Sequence, residues 1–133
     1  MLRLCAIASV TLAASCVATS AQEQLHPCET TGSTVETTNC YGAAHEAADG
    51  DLNLAYKLAM TAAREVDSYT SETAPKAAVI LRDAQRRWIA YRDEACDAEA
   101  AFWGGGTGAS AAFLACLERL TRVREQDLRR LFD

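Results

Sequence analysis

The chain has 133 residues, half of them apolar and 23 % charged, with a formal net charge of −5. That length allows one domain with or without a processed leader, and excludes a large two-domain enzyme. The acidic balance argues against nucleic-acid binding, which is driven by clustered cations, and suits a cationic protein partner instead. Alanine fills 27 positions and Gly plus Pro only nine, so the composition leans helical.

Residues 1–21 read as a secretory signal peptide: one early Arg, an apolar run from Leu4 to Ala14, then small residues ending at Thr19-Ser20-Ala21. The apolar run is too short to span a membrane comfortably, and no later segment approaches 18 consecutive apolar residues, so no transmembrane span is expected. Leu12-Ala13-Ala14-Ser15-Cys16 resembles a bacterial lipobox with Ala13 in place of the usual Leu, so a lipid anchor at Cys16 is the alternative to simple export. The expected location is periplasmic or secreted, or else lipid-anchored in the bacterial envelope. Removal of the leader leaves 12 Lys+Arg against 18 Asp+Glu, a net charge of −6.

Residues 22–35 are polar, contain Pro27 and Gly32, and read as an irregular lead-in. From about Glu36 to Ser68, apolar positions recur at helical spacing: Cys40, Ala44, Ala48, Leu52, Ala55, Ala59, Ala62 and Val66. Gly50 is the weak point of this helix and marks a candidate kink. Tyr69 to Thr73 reads as a turn, with Ser71 or Thr73 to cap a second helix and Pro75 in its first turn.

The second helix has the cleanest pattern, with Ala77, Leu81, Ala84, Trp88, Tyr91, Ala95, Ala98 and Phe102 facing inward and Asp83–Arg87 pairing on the outside. It must stop at Trp103-Gly104-Gly105-Gly106-Thr107-Gly108, where four glycines in five positions remove helix propensity. A third helix follows from about Ala109 to Leu131. Phe113, Cys116, Leu120, Val123 and Leu131 face inward, and Glu118–Arg122 and Glu125–Arg129 form outward pairs. The expected fold is all-α, a three-helix antiparallel bundle stapled by two disulfides. Its Ala-rich seams bury little area, so disulfides matter.

With Cys5 and Cys16 in the leader, four cysteines remain: Cys28, Cys40, Cys96 and Cys116. Cys96 and Cys116 stand about equally far from the glycine turn, so Cys96–Cys116 is expected and Cys28–Cys40 follows by remainder. Cys40–Cys96 stays open, because Cys40 belongs at the same end of the bundle. No C-x-x-C pair supports zinc, and no cofactor or metal is expected.

Catalytic chemistry finds little support. His26 and His45 have no nucleophile motif beside them. Asp49 and Asp51, and Asp93, Glu94, Asp97 and Glu99, read as solvated acidic faces. The glycine run lacks the Lys-Ser/Thr of a phosphate loop. It reads most simply as a connection, and more sharply as a protruding loop, Trp103 to Thr107, that meets a partner. Trp88 and Tyr91 read as a core pair, and Arg92-Asp93 as a polar cluster that sets helix register. No enzyme is expected. A small hydrolase would require a cleft carboxylate beside His45.

Several of these residues together resemble the LprI-type lysozyme inhibitor domain. They are Asp49-x-x-Leu52-Asn53-x-x-Tyr56, Gln85-x-x-Trp88-x-x-Tyr91-Arg92-Asp93-x-x-Cys96, the Gly105-Gly106-Thr107 turn, and Cys116-x-x-x-Leu120-Thr121-x-x-Arg124. The resemblance runs from about Cys28 to Leu131 and makes residues 36–133 an LprI-like helical domain. It implies an exported protein that blocks a c-type lysozyme by docking on it, with motif residues that are mainly structural. The other reading is an envelope-stress or structural module of the periplasm with a different partner.

Overall fold

A computed structural model describes residues 25–30 and 32–133. The expected signal peptide and lipobox cysteine lie outside the described residues. A single 3-10 turn, Pro27–Thr30, precedes three helices: α1 (Thr34–Tyr69), α2 (Ala77–Ala101) and α3 (Ala109–Arg129). They form the all-α, three-helix arrangement expected, with α3 packed against both α1 and α2. Among the described residues no helix is long and apolar enough to cross a membrane.

α1 starts two residues earlier than the apolar pattern suggested. Ser33 caps it, its hydroxyl accepting from the Glu36 backbone N–H at 3.3 Å and donating to the Glu36 carboxylate at 2.9 Å. Ser-x-x-Glu is a capping-box spacing, so the start was written in the lead-in. Gly50 does not interrupt the helix, which runs through it for 36 residues. Hydrogen bonding on both sides and the absence of any steric need keep the backbone regular there.

The α1–α2 turn is closed by a different device from the one expected. Neither Ser71 nor Thr73 caps α2; their hydroxyls bond each other at 3.0 Å. The helix begins after Pro75, at Ala77, and its first two N–H groups donate to the Asp67 carboxylate at 2.6 and 3.0 Å. Lys76 in turn donates from Nζ to the carbonyls of Asp67, Thr70 and Ser71, which end α1. Each helix thus satisfies the orphaned backbone groups of the other.

The core is in three parts along the bundle. Leu52, Ala55, Ala59 and Leu128 pack together at the end near the α1–α2 turn, with Trp88 and Leu81 against them. At the other end sit Cys28, Tyr41 and Ala111, and Cys96, Cys116 and Leu117. Both disulfides, Cys28–Cys40 and Cys96–Cys116, form at that end with Cα separations of 5.5 and 5.4 Å. Cys40–Cys96 is thereby excluded.

The inward face of α2 differs from expectation. Tyr91 is 61 % exposed and Phe102 93 %, and Ala84 and Ala98 also face water. Gln85 is buried and Arg92 half-buried in their place. Trp88 and Tyr91 are therefore not a core pair. Val66, Val123 and Leu131 are likewise exposed. Asp83 pairs with its neighbour Arg82 at 3.4 Å rather than with Arg87, and Glu118, although bonded to Arg122 as expected, is buried rather than outward.

A Cβ at Gly50 would meet nothing within 4 Å. Gly50→Ala should therefore stabilise the oxidised protein by about 1 kcal/mol through helix propensity and a less free unfolded chain. Chemical denaturation would show this as a higher midpoint with an unchanged slope.

Candidate functional site

Most of the sequence-motif residues converge at mid-bundle and hold the helices together. Arg92, on α2, reaches all three elements: its Nη1 lies 3.5 Å from the Asp49 carboxylate of α1 and 3.3 Å from the Thr121 hydroxyl of α3, and its Nη2 lies 2.8 Å from Asp93. Asp49 also accepts from Asn53 at 3.0 Å. One helical turn before Arg92, the Trp88 ring lies between two guanidiniums, with Arg92 5.3 Å and Arg124 6.0 Å from its centroid. Arg124 donates to the buried Gln85 amide at 2.9 Å. Leu52 and Tyr56 belong to the core cluster beside them, and Leu120 packs on the Cys96–Cys116 cluster. Tyr91 stands apart, in water. Thr121 is fully buried and completes this cluster.

The disulfide end has a different character. Residues 25–56 and 93–118 contain ten Asp and Glu and no Lys or Arg. Three arginines reach toward it from its border: Arg92 as above, Arg119 paired with Glu99, and Arg122 between Glu118 and Asp51. Among the described residues Glu29, Glu36, Glu46, Glu94 and Asp97 make no ion pair. Carboxylates gathered in this way set up a negative field that favours a cationic partner.

The glycine turn projects from the same end. Gly104 and Gly105 hold positive φ of 57° and 77°, which explains glycine at both positions. Trp103 lies with its indole over Gly108, where a Cβ would come within 2.4 Å of the ring. Packed on one side, Trp103 is still 56 % exposed, next to the almost fully exposed Phe102. Trp103 and Thr107 also form one wall of a groove of ≈ 590 Å3, whose other wall is Glu29, Ser33, Thr37 and Tyr41. The signal missed in the sequence is Phe102, whose helical spacing imitates a core residue.

Tyr41 anchors the far wall. It is buried, stacks on His26 with ring centroids 4.8 Å apart, and its hydroxyl donates to Glu29 at 3.5 Å. Burial, then the charge and hydrogen bond of Glu29, and lastly Glu118, push its phenol above the ordinary value of 10. His45 is half-buried on α1, and its Nδ1 makes no hydrogen bond among the described residues. Among the described residues no carboxylate bonds His45, the contact that a hydrolase reading requires.

A family model for the lysozyme inhibitor LprI matches residues 27–128, which takes in both disulfides, the mid-bundle cluster and the glycine turn. The chain belongs to the lysozyme inhibitor LprI family. It is also 30 % identical over 129 residues to an uncharacterized protein of Rhizobium meliloti (strain 1021), covering 94 % of this chain and 93 % of that one. No solved structure matches. An LprI-family protein with two disulfides suits an oxidising, non-cytoplasmic compartment.

Two outcomes follow from the geometry. Arg92→Ala removes a side chain whose polar contacts join three helices and leaves Thr121 buried without its partner. It should cost roughly 2–3 kcal/mol, discounted because Asp49 and Asp93 are about half exposed. Denaturant titration with both disulfides intact would measure it. For Tyr41, the folded state favours the neutral phenol. Its contribution is fully present below pH 10 and is lost as pH rises from there through the higher folded value. Stability measured from pH 8 to pH 11 should therefore fall above about pH 10, and Tyr41→Phe should flatten that fall.

Proposed function

We propose that this protein is an exported inhibitor that blocks a c-type lysozyme by docking its acidic, disulfide-stapled end on the enzyme. The periplasm or the outside of the cell is its place of action, with the bilayer as an alternative anchorage through Cys16. The observation that carries the reading is the union, at the disulfide end, of five carboxylates without an ion pair among the described residues (Glu29, Glu36, Glu46, Glu94 and Asp97) and two exposed aromatic side chains on the glycine turn. Family membership supplies the partner class. Lysozymes of the c-type are cationic, so the carboxylates would steer the encounter and the aromatics would supply the buried contact. Trp103, Gly104, Gly105, Gly106 and Thr107 are the proposed contact loop, and Phe102 joins them.

The division of labour is physical. Exposed carboxylates speed association and make it salt-sensitive, whereas a desolvated aromatic controls dissociation. Packing of Trp103 over Gly108 limits its rotamers before binding, which reduces the entropy lost on docking.

Lysis of cell walls by a c-type lysozyme, with oxidised protein beginning at Gln22, tests this. Inhibition should be stoichiometric and should weaken as salt is raised. Trp103→Ala with Phe102→Ala should weaken it about 30-fold while helicity is unchanged. Gly108→Ala, which forces the indole away, should act in the same direction. No inhibition at concentrations on the order of tens of micromolar, with both disulfides confirmed, would overturn the lysozyme reading and leave an envelope module with another partner.

A further inference from the structure

The opposite half of the bundle carries a surface that lysozyme docking leaves unused. Residues 57–92 and 119–133 hold twelve Lys and Arg against seven Asp and Glu. Near the α1–α2 turn, a groove of ≈ 430 Å3 runs between these two helices. Lys57 and Arg64 line it from α1 and Arg82 from α2, and no Asp or Glu is in the lining. Among the described residues Lys57 and Arg64 make no ion pair. Arg82 has only its neighbour Asp83, at 3.4 Å with both side chains about half in water, a pairing that contributes little. Arg86, one turn beyond Arg82, is exposed as well.

Between the cations the groove is lined by Met60, Ala78 and Val79. Val79 stands exposed in its α2 wall, whereas Ile80, also exposed, lines a separate groove with Leu81 and Leu131; Leu54 and Leu58 are exposed on α1. Like charges facing one groove without counter-charge repel one another, and a bound anion removes that repulsion. Cations interleaved with exposed aliphatic side chains on helices are what an anionic lipid surface accommodates, with charges at the headgroups and the aliphatics at the acyl boundary.

We infer that this face of the α1–α2 hairpin docks on an anionic phospholipid bilayer, with Lys57, Arg64 and Arg82 at the phosphates and Val79 dipping below them. The acidic net charge does not oppose this. Glu36 lies about 30 Å along α1 from Lys57, three or more screening lengths at physiological salt. Of the nearer carboxylates, Asp67 is engaged by the N-terminus of α2, Asp83 by Arg82, Asp49 by Arg92, Asp51 by Arg122, Glu125 by Arg129 and Asp127 by Arg130, while Glu65, Glu72 and Asp133 make no ion pair among the described residues. The disulfide end stays clear of the bilayer, so both surfaces can be occupied together and neither depends on the other.

Cosedimentation of the oxidised, unlipidated chain from Gln22 with vesicles is the test. Vesicles of phosphatidylglycerol and phosphatidylcholine in equal parts should bind it, those of phosphatidylcholine alone should not, and salt should weaken the binding. Each of Lys57→Gln, Arg64→Gln and Arg82→Gln should reduce partitioning about fivefold. All three side chains are exposed, so the triple variant should keep its helicity, which circular dichroism checks. Val79→Ser should weaken the binding that persists at raised salt, and Glu94→Gln with Asp97→Gln should not weaken binding at all. Absence of binding to the anionic vesicles, or binding that the triple variant leaves unchanged, overturns the inference. So does displacement by millimolar inorganic phosphate at constant ionic strength, which would make the groove a small oxyanion site. Lysozyme inhibition measured on the same triple variant should be unchanged, which keeps this inference separate from the lysozyme reading.

Discussion

One guanidinium sits where the three helices meet. Arg92 touches carboxylates on α1 and α2 and a hydroxyl on α3, and its plane serves Trp88 as well. The rest of the architecture depends on such a clasp because the apolar seam is thin. Ala48, Ala55, Ala59 and Ala111 are among its buried residues, and each methyl brings helices close while removing little area from water. Directional polar contacts then have to define the relative rotation of the helices, a task that interlocking Leu and Phe side chains perform in a thicker core. The partial exposure of Asp49 and Asp93 keeps the charges partly hydrated, so the clasp avoids the full cost of a buried ion pair.

The clasp also divides the molecule. Beyond it in one direction lie both disulfides, each worth about 3 kcal/mol in loops of this size. That covalent support lets the end tolerate what packing alone would oppose: many like charges close together, a run of glycines, and aromatic side chains left in water. In the other direction, the reciprocal capping by Asp67 and Lys76 closes the α1–α2 turn without any cysteine. The stable parts of each end are thus of different kinds, and the surfaces they carry differ in sign.

Much of the fold was legible in the sequence. Helix number and the glycine stop follow from periodicity and propensity, and the position of each cysteine relative to the turns favours the observed disulfides while leaving Cys40–Cys96 open. The rotation of α2 was not. Counting apolar residues placed Ala84, Tyr91, Ala98 and Phe102 inside, yet Gln85 and Arg92 are inward and those four are in water. A polar residue faces a core only where partners wait for it, and here Thr121 and Arg124 wait one turn apart on α3. Nothing in one helix records what another offers, so single-helix periodicity misassigns the face. The same error hid Phe102 from the candidate site. The α1 start is written as Ser33-x-x-Glu36, inside a polar lead-in that carries no apolar period.

Net charge proves a poor guide to what this molecule can meet. The value of −5 combines an end whose chain segments hold ten carboxylates, five of them paired with arginines at its border, and a remainder in which cations exceed acids. At physiological salt a surface charge is felt over roughly 8 Å, far less than the length of α1, about 54 Å for 36 residues. A partner at either end therefore responds to that end alone. The acidic composition, taken as a single number, argues for a cationic partner and against an anionic one. Resolved along the helix axis, it supports the first at the disulfide end and withdraws its objection to the second at the other.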